Sequence, residues 1–123
     1  MGSHAEPEHP AVASTIGGVL DHWARAAPSA PAIAARNRQD MSYGELALLT
    51  DGIAGQLQHA GFGADSRLAV VHRGGAEALT TVLGVVKRSI AVPLSNEYPA
   101  NEFGSHLDAC GAEAVSVDAR PDT

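Results

Sequence analysis

The feature that most constrains the fold of this chain is the order in which strand-like and helix-like apolar patterns follow one another. The run that begins at Arg67 reads Arg-Leu-Ala-Val-Val-His, which is typical of a strand buried on both faces. Further strand patterns at 90–94 and 114–117 are separated by helical repeats that follow Gly74-Gly75 and Pro99. Strand, helix, strand, helix, strand indicates a parallel sheet with right-handed crossovers. The sequence therefore predicts an α/β fold, a partial doubly wound and mainly parallel sheet with flanking helices.

Two elements are predicted near the start of the chain. Thr15 is placed to cap a helix over residues 16–27, whose apolar residues recur at helical spacing. A short strand is predicted at 32–36, followed by a polar turn into Met41-Ser42. We expect residues 1–14 to be a tag remnant and flexible leader, because they begin Met-Gly-Ser-His and carry two prolines.

A long amphipathic helix follows the polar turn. Ser42 and Glu45 have the spacing of a capping box, in which each side chain satisfies a backbone N–H at the helix start. Gly61 suits the left-handed position after the helix. The predicted apolar face of this helix consists of Leu46, Leu49, Ile53 and Leu57. The helix predicted after Gly74-Gly75 repeats Leu79, Val82, Leu83 and Val86.

Composition excludes several classes of protein. The net charge is -6 and the isoelectric point is about 5.3, whereas a nucleic-acid-binding protein usually has a basic face. Cys110 is the single cysteine, so no internal disulfide forms and a reducing compartment is expected. No apolar run has the length of a membrane span, and no signal-peptide pattern is present. We therefore expect a cytoplasmic protein that has no membrane span and does not bind nucleic acid.

The turn at Gly74-Gly75 is a candidate anion site. It lies between a buried strand and a helix, where backbone N–H groups and the helix dipole attract negative charge. The alternative is that the glycines only permit a tight strand-to-helix turn. We favour this alternative, because no GxxxxGK[ST] pattern follows.

A second candidate follows the strand at 90–94. The loop Ser95, Asn96, Glu97 and Tyr98 lies at a predicted strand end, where open parallel sheets bind ligands. The alternative is a capped loop before Pro99, and local chemistry alone favours it. His106 and Cys110 are four residues apart, but two ligands do not make a zinc site. The residues thus predict neither a metal site nor a catalytic set.

Taken together in order, several strings resemble the opening of adenylate-forming enzymes, which include acyl-CoA synthetases, adenylation domains of non-ribosomal peptide synthetases and luciferases. The strings cover roughly residues 15 to 118 and follow the family's order. They are Thr15-Ile16 through Pro31-Ala32-Ile33, Met41-Ser42-Tyr43-Gly44-Glu45-Leu46, Arg67-Leu68-Ala69-Val70-Val71, Leu83-Gly84-Val85-Val86-Lys87, Ala91-Val92-Pro93-Leu94 and Tyr98-Pro99. The resemblance implies that Ser42, Tyr43, Glu45, Leu46 and Pro93 are structural motif residues.

The sequence also departs from the family pattern. Arg88-Ser89 stands where the family usually has Ala-Gly, which puts close backbone packing there in doubt, and Ser95 stands where Asp is frequent. The family's glycine-rich phosphate loop, its Tyr-Gly-x-Thr-Glu string, its ribose-binding Asp and its catalytic Lys have no counterpart in the sequence.

The resemblance implies an N-terminal α/β subdomain at 15–118 and a tail at 119–123 where a longer enzyme has been cut. That parent would use ATP and Mg²⁺ to activate a carboxylic acid as an acyl-adenylate. It would then pass the acyl group to coenzyme A or to the phosphopantetheine of a carrier protein.

For the isolated chain we expect no activity, no bound cofactor, and possible self-association through uncovered apolar faces. Two alternatives stay open. One is a stand-alone interaction module, and the other is a small nucleotide-binding protein that uses Gly74-Gly75.

Overall fold

The computed structural model describes residues 15–34, 36 and 39–117. The predictions for a leader at 1–14 and a tail at 119–123 lie outside the described residues. The elements, in chain order, are α1 (Ile16–Ala26), β1 (Pro31–Ile33), β2 (Met41–Ser42), α2 (Tyr43–His59), β3 (Arg67–Val71), α3 (Gly75–Val86), β4 (Ile90–Pro93), α4 (Ala100–Cys110) and β5 (Ala114–Val117). The chain divides into two compact units, residues 1–48 and residues 49–123.

In the first unit, α1 begins with the predicted cap. Thr15 Oγ1 accepts a hydrogen bond from the backbone N–H of Gly18 at 3.0 Å. The strand predicted at 32–36 is observed at Pro31–Ile33, where it pairs antiparallel with β2. Proline is tolerated there because it is the first residue of the strand.

The capping box at the start of α2 has both of its hydrogen bonds. Glu45 Oε1 accepts from the backbone N–H of Ser42 at 2.9 Å, and Ser42 Oγ accepts from the N–H of Glu45 at 3.1 Å. Leu46, the next residue, is 2% exposed. This string therefore turns a hairpin strand into a helix and buries Leu46 in the first turns of that helix.

The second unit contains a three-stranded sheet in the order β4-β3-β5. Both pairs are parallel, with Leu68 beside Ala91 on one side and beside Ala114 on the other. The chain passes from β3 through α3 to β4, on one side of β3. It then passes from β4 through α4 to β5, on the other side of β3. Because such crossovers are right-handed, the two helices lie on opposite faces of the sheet. The predicted doubly wound α/β fold is confirmed.

The core of the second unit lies between β3, α2 and α3. Leu68, Val70 and Val85 are 4%, 2% and 1% exposed. Packed against these three are Ile53, Leu57, Phe62, Val82, Ala91 and Ala114. Two of these residues, Ile53 and Leu57, belong to the apolar face that the sequence predicted for α2.

Two residues of the predicted apolar repeats are exposed. Leu49 is 49% and Leu79 is 46% exposed. The buried residues of α3 are Ala76, Thr80, Gly84 and Val85. Three of these four, Ala76, Thr80 and Gly84, are small residues one helical turn apart, and they let α3 approach its neighbours closely. Leu79 lies beside this face, whereas Val85 is in the core.

The departure at Arg88-Ser89 is compensated by hydrogen bonds. Arg88 Nε donates to the backbone carbonyl of Phe62, and Ser89 Oγ donates to that of Gly63, each at 2.8 Å. Ser89 is 8% exposed. The two polar side chains therefore join the turn before β4 to the turn before β3. These two hydrogen bonds, called here the polar clasp, replace the close backbone packing that was in doubt.

Candidate functional site

The carboxyl ends of the three strands meet at one edge of the sheet, called here the carboxyl edge. Val70 is in register with Pro93, and Val71 is in register with Val117. Ligands of open parallel sheets bind outside this edge. Both predicted regions, the turn at 72–75 and the loop at 95–98, follow strands that end here, so the fold brings them to the same edge.

A side-chain pair that sequence reasoning missed joins β5 to the end of β3. His72 Nε2 and Ser116 Oγ are 3.1 Å apart, and both residues are half-buried. Which group donates depends on the tautomer of the imidazole. Ser116 is in register with Val70, two residues before His72, so both lie on the same face. The sequence spacing of 44 residues carries no signal for this pair; only the register does.

The chain changes direction across the sheet between β3 and β5, where α3 and α4 pass to opposite faces. Such a switch point is the usual binding crevice of a doubly wound sheet. The pair of His72 and Ser116 therefore links the end of β3 to β5 at the position where a binding crevice is expected.

Gly74 and Gly75 have backbone conformations that only glycine adopts readily. Their φ angles are 100° and 83°, and Gly74 precedes α3 without a side-chain cap. A Cβ added at either position would meet nothing within 4 Å. The glycines are thus required by backbone conformation and not by lack of space. This geometry accounts for the tight turn, and the anion site stays a prediction.

The loop at 95–98, called here the rim loop, is fastened by its own side chains. Ser95 Oγ accepts a hydrogen bond from the N–H of Glu97 at 3.0 Å. The ring of Tyr98 stacks on that of His106, with centroids 3.8 Å apart and planes inclined by 14°. The carbonyl of Pro99 then accepts hydrogen bonds from the backbone N–H groups of Glu102 and Phe103 in the first turn of α4. The loop is held by its own side chains, but the predicted cap is not found, since the N-cap of α4 is Pro99 and no side chain caps the helix. The side chains of Asn96 and Glu97 remain exposed.

The described ranges contain no group of three His, Cys, Asp or Glu side chains that could hold a metal ion. His106 is engaged with Tyr98, and Cys110 Sγ contacts the carbonyl of Leu107 at 3.4 Å. None of the helices in the same ranges is both long enough and apolar enough to span a membrane.

Comparison with known proteins gives a family match. The family model described as AMP-binding enzyme matches residues 20–123. Among curated proteins, the chain is 30% identical over 81 residues to the chalcone synthase cfoA of Aspergillus candidus, an alignment that covers 65% of this chain and 3% of that protein.

Solved structures agree with the fold. The N-terminal subdomain of NpsA from Klebsiella oxytoca, in complex with 3-hydroxyanthranilyl-AMSN, superposes with a TM-score of 0.75 at 22% identity, over 84% of this chain and 26% of that one. The AMPPNP-bound form of the non-ribosomal peptide synthetase FmoA3 superposes with a TM-score of 0.80 at 25% identity, over 91% of this chain and 12% of that one. The chain thus spans a small part of the length of each relative.

Proposed function

Because the chain belongs to the AMP-binding enzyme family, we propose that it is the N-terminal segment of an ATP-dependent, AMP-forming ligase. In the first step, a carboxylate oxygen of the substrate attacks the α-phosphorus of ATP, and the bond to pyrophosphate breaks. In the second step, a thiol attacks the acyl carbonyl and loses its proton, and AMP leaves. The products are pyrophosphate, AMP and a thioester. The match over residues 20–123 is the observation that carries this proposal.

Within such an enzyme, this segment supplies framework and part of a ligand-facing edge. Mg²⁺, where bound, neutralises charge that develops on the phosphates. The described residues contain no group of three His, Cys, Asp or Glu side chains that would hold the ion. The lone Cys110 favours a reducing compartment such as the cytoplasm.

We assign the rim loop to the side of the thiol-carrying arm. It follows β4 at the carboxyl edge, and Asn96 and Glu97 expose an amide and a carboxylate there. An Asn96→Ala variant of the full-length enzyme should raise the KM for the thiol, since the amide offers both a donor and an acceptor. An unchanged thiol KM in that variant would count against the assignment.

Calorimetry with ATP tests the proposed function. The 123-residue chain and a longer native chain are titrated side by side, and binding is expected only with the longer chain. The physical reason is that the sequence contains no glycine-rich phosphate loop and no matching catalytic lysine. Saturable binding by the short chain would instead favour a small nucleotide-binding protein that uses Gly74 and Gly75.

A stand-alone interaction module is the second candidate, and an apolar surface favours it. Ile90, Val115 and Val117 are 38%, 41% and 62% exposed, and α4 has no buried residue. By register, these three side chains lie on the sheet face opposite the core. The discriminating observation is the native reading frame after Thr123: a phosphate loop supports the ligase, and a stop codon supports the module.

The same apolar surface bears on self-association. Sedimentation of the 123-residue chain is expected to show concentration-dependent association if this face is uncovered in solution. Replacing Val117 by Glu should then restore a monomer. A wild-type chain that stays monomeric at high concentration would contradict the expectation.

A further inference from the structure

We draw no further inference here: the strongest candidate, the sheet face opposite the core on which Ile90, Val115 and Val117 are exposed, carries none, because nothing in the described part of the chain shows what covers it.

Discussion

The contact between α2 and α3 depends on Gly84, and Gly84→Ala tests it. A Cβ built at Gly84 would lie 2.7 Å from Cβ, 2.8 Å from Cδ1 and 2.9 Å from Cγ2 of Ile53. Carbon atoms in contact are normally about 3.5–4.0 Å apart. The Cβ of Ile53 cannot rotate away, because it is bonded directly to the backbone of α2. The two helices must therefore move apart to admit a methyl group.

The expected loss of stability follows from two opposing effects. Alanine in a helix interior is favoured over glycine by about 1 kcal/mol. Overpacking a core contact costs about 1–3 kcal/mol, and the short distances place Gly84→Ala in the upper part of that range. We expect a net decrease in the free energy of unfolding of about 1–2 kcal/mol, where each kcal/mol lowers Tm by roughly 4–8 °C.

Urea and thermal unfolding followed by circular dichroism measure this effect. Gly55→Ala is the matched control, because Gly55 is exposed on α2 and a Cβ there meets nothing within 4 Å. The control should gain about 0.5–1 kcal/mol. In an Ile53→Ala background, which lacks Cδ1 and Cγ2, the cost of Gly84→Ala should shrink. If Gly84→Ala stabilises the chain as much as Gly55→Ala does, the close approach of the helices is refuted.

Three further changes test other parts of the fold by the same unfolding measurements. Ser42→Ala removes a helix cap and should cost about 1 kcal/mol, and Ser42→Thr should retain most of that stability; equal stability of all three proteins would contradict the capping role. Ser89→Gly restores the family's usual residue but loses the bond to Gly63, so about 1 kcal/mol should be lost, and a gain would show that the clasp contributes nothing. Gly74→Ala should cost about 1–3 kcal/mol because φ is 100°, and a neutral result would exclude strain at this turn.

Element type and order could be predicted because they depend on local patterns. The caps at Thr15 and Ser42 and the left-handed turns at Gly61 and Gly111 use side chains and glycines close in sequence. The depth of burial could not be predicted as well. Helical periodicity identifies the heavy apolar residues, but three of the four buried residues of α3, namely Ala76, Thr80 and Gly84, are small. Burial of Thr80 is tolerated because its hydroxyl donates to the carbonyl of Ala76 at 2.7 Å.

For the candidate site, the sequence could predict which loops lie at the carboxyl edge but not which side chains pair there. Strand order predicts which loops meet at the carboxyl edge, since consecutive parallel strands point the same way. The pairing of His72 with Ser116 requires the register of β3 and β5, and that register arises from packing between residues far apart in sequence. The stack of Tyr98 on His106 is a local contact between the residues before α4 and the helix itself, but no sequence motif marks it. Each pair joins two segments at the carboxyl edge. A ligand that bound at this edge would therefore have to order fewer side chains.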